Sequence, residues 1–402
     1  LLGRTELWVR TAPAFAHERV RYAGLRYQPS PPTALTARFD GLLDRVVEAA
    51  RARGLEVYLQ VMAASPPGYR VQFSGAVAED QCLGPDLAPH DARVDKNASL
   101  ASTDVVAYIA ALSSELATRF PGVNGIRLDW PEYPPYDLAS ALFDFNPAVR
   151  ALMREAGHDP AIVARDVLAL RRALETAART AAGAGAEAAG RALDAAGWDR
   201  LMGGDGSVGV LLAAKRRAAR SLLAAVRAGL DAVPGAHRRL EPQAFPPPFD
   251  ALSGFPLREL AGVADRIGIK LYTMHWPMIA RYWARDLLDT HASPAAHDAV
   301  AAAVAQRLGL VDDPVDGAGL RYPDPTQAHP VGKLAQIDKL RTAARAAGSV
   351  PVTAFVHSYG PVTDMIDRFD TARAAGLPLW INRYGYLSDA KFAALREWRS
   401  RR

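Results

Sequence analysis

The chain has 402 residues, of which 50% are hydrophobic and 23% are charged, and this composition fits a well-buried globular protein and excludes a disordered chain. Its 48 basic and 43 acidic residues give a formal net charge of +5, a mild excess carried largely by Ala-rich helices, so no nucleic-acid partner is expected. The single cysteine, Cys82, excludes an intrachain disulfide and leaves the compartment, cytoplasmic or secreted, open. No apolar run has the length of a membrane span, so no membrane partner is expected. The chain starts at Leu1, so we expect a processed or trimmed N-terminus.

Predicted strands alternate with predicted helices along the chain. Hydrophobic patterning predicts strands at residues 6–11, 55–62, 125–129, 238–245, 266–274, 351–357 and 377–382. Helical spacing predicts helices at 37–52, 103–119, 161–182, 210–232, 278–308 with a break near Ser293, 331–347, and from 389 onward. The connections that enter strands are short, whereas those that leave strands are long and hold most of the Trp, Tyr, His and Pro residues.

The alternation predicts an α/β fold, and the loop asymmetry predicts a (β/α)8 TIM barrel, in which the loops that leave the strands build the active site. We expect a single catalytic domain over residues 1–402, with long βα loops and a helical insertion at 160–233 after the fourth strand. Seven predicted strands for an eight-stranded barrel imply that the first strand lies upstream of Leu1 or was not recognised. An open doubly wound sheet is the alternative, but no Gly-rich phosphate turn follows the first predicted strand.

The most informative stretch is the segment at 125–136, which reads Gly-Ile-Arg-Leu-Asp-Trp-Pro-Glu-Tyr-Pro-Pro-Tyr. Its apolar start predicts a buried strand, and its three prolines end that strand. Asp129 therefore lies at the carboxyl end of the strand, and Arg127, two residues earlier, shares its face. Glu132 is a rival acid in the loop that follows. The aromatic residues beyond the strand, which predict a sugar-binding surface, are Trp130, Tyr133 and Tyr136.

A second acid, Glu241, lies inside the next predicted strand. Two inward acids on neighbouring strands, with an arginine beside one, can be driven to different pKa values, so that one stays ionised and the other holds a proton. Glycoside hydrolysis needs this division between a nucleophile or base and an acid. In the competing interpretation, Asp129 caps a turn and Glu241 forms an ion pair with Arg238 or Arg239.

The ends of the later strands supply further candidates for substrate contacts, because aromatic faces stack on the apolar faces of sugars. These candidates are Tyr272, His275, Trp276, His357, Tyr359, Asn382 and Arg383. The aromatic members could instead simply pack. The two histidines could bind a metal, but no His-x-His or His-Glu-x-x-His motif accompanies them, so neither a metal nor another cofactor is predicted.

The motif Gly-Ile-Arg-Leu-Asp at 125–129 resembles the fourth-strand motif of the α-amylase-like retaining glycosidases, in which Arg-x-Asp carries the nucleophile. The wider stretch through Tyr136 resembles the "hypothetical glycosyl hydrolase" barrels of bacteria. The resemblance implies that Asp129 is the nucleophile, that Glu241 is the acid/base, and that His357 contacts a sugar hydroxyl. In the amylase pattern an Asp directly follows the seventh-strand His, whereas Ser358 follows it here, so neither a third carboxylate nor α-glucan specificity is implied.

The sequence therefore predicts a glycoside hydrolase that cleaves an oligo- or polysaccharide, with retention of configuration. The carbohydrate substrate is the expected partner, and the Ala/Arg-rich helices at 161–232 are a candidate homodimer surface. The alternatives are a different barrel enzyme, such as a metal-dependent hydrolase or an isomerase, and a carbohydrate-binding barrel without catalysis. The separation of the two carboxyl groups, about 5–5.5 Å in retaining enzymes and about 6.5–9.5 Å in inverting enzymes, sets the stereochemistry.

Overall fold

The computed structural model describes residues 12–64, 76–89 and 97–401. Within these ranges the strands form one parallel sheet, whose order in space follows the order in the chain. The predicted strand at 6–11 lies outside the described residues, and the other six predicted strands are confirmed with shifts of a few residues at their ends. The strands are β1 (Tyr58–Met62), β2 (Gly125–Asp129), β3 (Arg239–Ala244), β4 (Ile267–Leu271), β5 (Val352–His357) and β6 (Leu379–Asn382).

The prediction of a closed eight-stranded (β/α)8 TIM barrel is wrong. Five parallel pairings join β1 to β6 in sequence, and no pairing in the described ranges joins β6 back to β1. The sheet is nevertheless strongly curved, because the rings of Tyr58 on β1 and Trp380 on β6 meet with their centroids 5.8 Å apart. The fold is a half-barrel. Alternation and loop asymmetry are common to any sequentially ordered parallel sheet, so they could not determine the number of strands or the closure.

Alternation along the strands separates a polar inner face from an apolar outer face. The outward side chains are buried under helices and belong to one hydrophobic core; they include Ile126, Leu128, Ile267, Ile269, Leu271, Ala354 and Val356. The inward side chains between them are mostly polar, and they include Arg127, Asp129, Glu241, Gln243, Lys270 and His357. Polar groups on the concave side of a sheet require partners there, so the chemistry of the molecule is concentrated inside the curve.

The helices cover the convex side and the ends of the sheet. They are α1 (Ala34–Arg38), α2 (Leu42–Arg51), α3 (Thr103–Arg119), α4 (Leu138–Ala141), α5 (Pro147–Glu155), α6 (Pro160–Ala181), α7 (Ala186–Ala196), α8 (Trp198–Gly203), α9 (Gly206–Asp231), α10 (Phe249–Ser253), α11 (His275–Leu287), α12 (Pro294–Arg307), α13 (Lys333–Ala347), α14 (Val362–Ala374) and α15 (Asp389–Ser400). The two long helices predicted at 161–182 and 210–232, between β2 and β3, correspond to α6 and α9. Helices α5, α7 and α14 were not predicted.

Local capping explains several of these boundaries. The Ser102 side chain accepts the Val105 N–H and caps the start of α3. Asp159 caps α6, and Pro160 occupies its first turn. α9 packs along α3, α5 and α6, so the long crossover from β2 to β3 forms a helical layer behind the sheet. None of the helices in the described ranges combines the length and the apolar character that a membrane crossing requires.

Candidate active site

The carboxyl ends of the parallel strands meet at one edge of the half-barrel, where Asp129, His357 and Asn382 are the last residues of β2, β5 and β6. Two non-glycine residues that follow strands at this edge have a left-handed backbone, Trp130 with φ 52° and Arg383 with φ 69°. A bulky side chain in this conformation is strained, and such strain tends to be retained at functional sites. The observation marks this edge as the candidate active site.

Asp129 is the accessible carboxylate of this edge, with 15% of its side chain exposed. Its Oδ1 lies 3.0 Å from Lys270 Nζ and accepts its neighbouring Trp130 N–H at 3.0 Å. Its Oδ2 accepts from Gln60 Nε2 at 3.2 Å. Three donors from different parts of the sheet edge therefore fix the carboxylate while leaving it open to solvent.

Glu132, the rival acid, is completely buried. It accepts the Phe245 N–H at 3.0 and 3.2 Å, the Ser253 hydroxyl at 2.7 Å, and Lys270 Nζ at 3.1 Å. Burial raises the pKa of Glu132, and the Lys270 charge and the hydrogen bond from Ser253 oppose this shift. Both of its oxygens are occupied inside the protein, so the geometry makes Glu132 an anchor.

Lys270 lies between the two acids on β4 and is 1% exposed. Burial by itself would lower its pKa, but Asp129 and then Glu132 raise the pKa above the usual lysine value, so the ammonium stays charged. The Phe245 ring lies 4.7 Å from Nζ and adds a cation–π contact. Sequence reasoning missed Lys270. Its signal was a lone cation in the apolar run Ile-Gly-Ile-Lys-Leu, which is tolerated only if the cation is paired.

Arg127 was expected beside Asp129, but it pairs with Glu241 at 3.2 Å. Its guanidinium lies 4.4 Å from the centres of both the Phe355 and the Trp380 rings. Burial lowers the pKa of Arg127, and the Glu241 charge opposes this shift. The ring of Phe355 can lie here because Gly268 has no side chain: a Cβ at that position would be 2.3 Å from the ring. The pair is thus enclosed by aromatic side chains on the concave face.

Glu241 is completely buried, and one of its oxygens, Oε2, has no hydrogen-bond partner among the described residues. Burial raises the pKa of Glu241, and the Arg127 charge opposes this shift. Strand register pairs Arg127 with Glu241, so Asp129 lies one layer nearer the carboxyl edge. The side chain at the level of Asp129 on β3 is Gln243, which donates to Gln60 at 3.2 Å. The two predicted carboxylates therefore face the same interior at different depths.

The edge is lined by a group of rings that we call the mouth cluster: Tyr136, Tyr272, His275, Tyr322, His357, Tyr359 and Tyr386. The His275 ring is centred 5.5 to 5.9 Å from Tyr136, Tyr272 and Tyr322. Tyr359 lies 5.4 Å from both Tyr322 and Tyr386. Tyr322 and Tyr386 are 42% and 47% exposed, so they present ring surface at the rim. Neither was recognised from the sequence, because neither lies at the end of a strand: Tyr322 is in an irregular segment and Tyr386 is in the short 3-10 helix Tyr384–Tyr386.

The two histidines of the mouth cluster are held neutral. Burial lowers the pKa of His275 to about 4 and the pKa of His357 to about 3, and nearby positive charges contribute to both shifts. The Nδ1 of His357 accepts the Tyr359 N–H at 3.0 Å, so the proton of the neutral ring is on Nε2. Tyr136 and His275 are 3.4 Å apart through their hydroxyl and Nδ1. The cluster therefore offers neutral hydrogen-bonding groups of the kind that sugar hydroxyls require.

Buried cations shape the segments behind the mouth cluster. Arg368 donates to the carbonyl oxygens of His357 and Tyr359, and Lys391 donates to those of Ser358 and Tyr386. The amide of Asn382 donates to the Tyr272 hydroxyl. These bonds fix the rings from the protein side and leave the rim faces uncovered by the described residues.

Two of the predicted substrate-binding residues lie elsewhere. Tyr133 is buried, and its hydroxyl accepts the Leu100 N–H at 3.1 Å. Trp276 is buried beside Lys339, whose Nζ lies 5.7 Å from its ring centre. Both pack in the core, whereas the partly exposed Trp130 remains at the edge beside Asp129. Within the described ranges there is no group of three or more His, Cys, Asp or Glu side chains placed to hold a metal ion.

No protein-family model matches the chain, and no curated protein matches its sequence. Among solved structures, the crystal structure of a β-galactosidase from the psychrophilic Marinomonas ef1 is a weak neighbour, with a TM-score of 0.47 and 11% sequence identity. The match covers 92% of this chain and 49% of the β-galactosidase chain, so this chain spans about half the length of that protein.

Proposed function

We propose that the chain is a glycoside hydrolase that cleaves an oligo- or polysaccharide with retention, using Asp129 as the nucleophile and Glu241 as the acid/base. The observation that carries the proposal is the environment of Asp129. It is a partly exposed carboxylate at the carboxyl edge of a parallel sheet, held by Lys270, Gln60 and a backbone N–H beside an aromatic mouth. A nucleophilic carboxylate needs this combination of fixed orientation and access to a sugar carbon.

The mouth cluster supports a carbohydrate as the substrate. The exposed faces of Tyr322 and Tyr386 match the apolar faces of pyranose rings. His357 presents an Nε2–H, and the neighbouring tyrosine hydroxyls add groups that can both donate and accept. A neutral polyol can satisfy the hydrogen-bonding groups of such a surface.

Burial raises the pKa of Glu241, and in the described part of the chain its Oε2 accepts no hydrogen bond, which supports the role of a proton donor. It lies one layer below Asp129, so the proposed role requires the leaving oxygen to enter the concave side of the sheet beyond Asp129. Arg127 is then the group that receives the Glu241 carboxylate when the proton has left.

A specific observation favours a second candidate, a carbohydrate-binding protein without hydrolysis. The residue level with Asp129 on β3 is the amide Gln243, and Glu241 is completely buried. An amide cannot act as the acid of a glycosidase. In this alternative the mouth cluster binds sugar, and Asp129 accepts hydrogen bonds from its hydroxyls.

Turnover of a panel of aryl glycosides by the wild type, Asp129→Asn and Glu241→Gln separates the two. We expect Asp129→Asn to lose about a thousandfold or more on every substrate, and Glu241→Gln to lose roughly 10²–10⁴-fold on poor leaving groups and much less on activated ones. Asp166→Asn, on the surface of α6, is the matched control and should retain full activity. Wild-type activity in Asp129→Asn contradicts the proposal, and sugar binding without turnover by the wild type establishes the second candidate.

A further inference from the structure

Asp129, Lys270 and Glu132 form a row in which one lysine touches both acids. Lys270 Nζ lies 3.0 Å from Asp129 and 3.1 Å from Glu132. Glu132 is completely buried and Lys270 almost so, whereas Asp129 opens to the mouth. The row therefore runs from the protein interior to the candidate nucleophile.

Glu132 is tied to the segment after β3 as well as to Lys270. The Phe245 N–H and the Ser253 hydroxyl hold its two oxygens in place, and Lys270 is the only cation among its described contacts. A fully desolvated carboxylate is strongly disfavoured without a cation, so the buried Glu132 holds the ammonium of Lys270 in one place. The Phe245 ring confines the same ammonium from the side.

The consequence for Asp129 is geometric. Its other donors are the amide of Gln60 and the N–H of Trp130, both neutral. Charge-assisted hydrogen bonds are shorter and stronger than neutral ones, so the contact with Lys270 dominates the orientation of the carboxylate. Because Lys270 stays charged and has both acids as partners, it is unsuited to act as a nucleophilic amine.

We propose that Lys270 is a positioning residue that orients the Asp129 carboxylate, and that Glu132 acts through Lys270 as its buried anchor. The inference rests on the proposed function in so far as Asp129 is the nucleophile. Replacing Lys270 by methionine removes the ammonium with little change in side-chain volume, so this substitution tests the charge.

Lys270→Met alone leaves a buried carboxylate unpaired and would test folding more than positioning. The informative protein is the double variant Lys270→Met with Glu132→Gln, which removes both buried charges and keeps an acceptor for Phe245 and Ser253. Gln60→Met, which removes a neutral donor from the same carboxylate, is the matched comparison. Thermal unfolding confirms that each variant is folded before it is assayed.

Two readouts are needed, crystal structures of the variants and steady-state kinetics on the best aryl glycoside. In the double variant we expect the Asp129 carboxylate to leave its position or to adopt several conformations, kcat to fall about a hundredfold, and KM to stay within about threefold. Gln60→Met should lower kcat less than about tenfold, in proportion to the weaker neutral hydrogen bond.

The outcomes distinguish this inference from the proposed function. If Asp129 keeps its position in the double variant, or if kcat is unchanged, Lys270 does not position the nucleophile and the inference is overturned while the glycosidase proposal stands. If the wild type and all variants lack turnover, the proposed function fails, and the crystal structures alone decide whether Lys270 orients Asp129.

Discussion

Four lysines are buried among the described residues. Besides Lys391, which holds the segments behind the mouth cluster, they are Lys215, Lys270 and Lys339, and these three differ in what their ammonium groups contact. Lys270 at the mouth contacts two carboxylates. Lys215 contacts the carbonyl oxygens of Ala141 and Leu252 at 2.9 and 2.5 Å, and Lys339 contacts those of Pro247 and Leu308 at 2.8 and 2.6 Å. Burial lowers the pKa of both Lys215 and Lys339 to about 7, whereas the carboxylates reverse the effect of burial at Lys270.

The comparison shows that burial brings the pKa of a lysine down to near neutrality, and that two contacting carboxylates reverse this shift. The lysines also differ in their structural roles. Lys339 and Lys215 donate to the carbonyl oxygens of Pro247 and Leu252, and the flanking residues Phe245 and Ser253 supply an N–H and a hydroxyl to Glu132. Lys215 and Lys339, which we call the framework lysines, therefore hold backbone carbonyl groups, whereas Lys270 contacts the carboxylates of the candidate site.

The largest loss of stability should come from removing Lys270, the lysine that contacts two carboxylates. Lys270→Met leaves Glu132 as a buried carboxylate with no cation, and breaking a buried pair from one side costs about 3–5 kcal/mol of the free energy of unfolding. Urea denaturation near neutral pH measures this loss. Adding Glu132→Gln to the same variant should recover most of the stability, and a double variant as unstable as the single one would show that charge is not the cause.

The framework lysines, Lys215 and Lys339, should instead affect how the free energy of unfolding depends on pH. Between pH 7 and about 10.5 the unfolded chain keeps a proton on Lys215 that the folded chain releases, so the unfolded state binds more protons and stability rises with pH in this window. The maximal slope is about 1.4 kcal/mol per pH unit for each such lysine, and Lys339 has the same sign.

Denaturation of the wild type, Lys215→Met and Lys339→Met at pH values from about 7.5 to 9.5 tests this expectation, and each substitution should remove one lysine's share of the slope. Lys333→Met, at an exposed position of α13, is the matched control and should leave the slope unchanged. Equal slopes in the wild type and in Lys215→Met would mean that Lys215 keeps its proton in the folded protein.

The smallest effect on the free energy of unfolding should come from a partly exposed ion pair. Arg119 and Asp44 join α3 to α2 at 2.8 Å, with side chains 38% and 32% exposed. Water and salt screen such pairs, so Asp44→Asn should change the free energy of unfolding by less than about 1 kcal/mol, and less at high salt. A loss comparable to that of Lys270→Met would show that exposure does not separate these contacts.

Much of the sheet could be predicted from the sequence, because apolar alternation marks a strand whichever partner it has. The same rule placed Asp129 at a strand end and Arg127 on its face. The partner of Arg127 could not be predicted, since the register of β2 against β3 depends on sheet pairing and brings Glu241, not Asp129, beside it. Lys270 was within reach of sequence reasoning, because a cation in an apolar strand is tolerated only if it is paired.

The rim residues and the closure of the sheet could not be predicted from local sequence patterns. Tyr322 and Tyr386 lie outside the strands, and only the packing of three segments that are distant in sequence brings them to Tyr359. The closure of a curved sheet depends on strand number and stagger, which are properties of the whole assembly. Sequence reasoning could therefore predict the chemical character of individual positions, but it could not predict which distant residues come together in the fold.

The most direct test of the account is the chemical capture of the nucleophile. The wild type would be incubated with activated fluorosugars, whose glycosyl-enzyme esters are hydrolysed slowly, and the labelled peptide would be sequenced by mass spectrometry. The account predicts one sugar per chain, attached to Asp129, with no label in Asp129→Asn. A label on Glu241, Glu132 or another residue, or rapid turnover with no trapped ester, would contradict the assignment of Asp129 as the nucleophile.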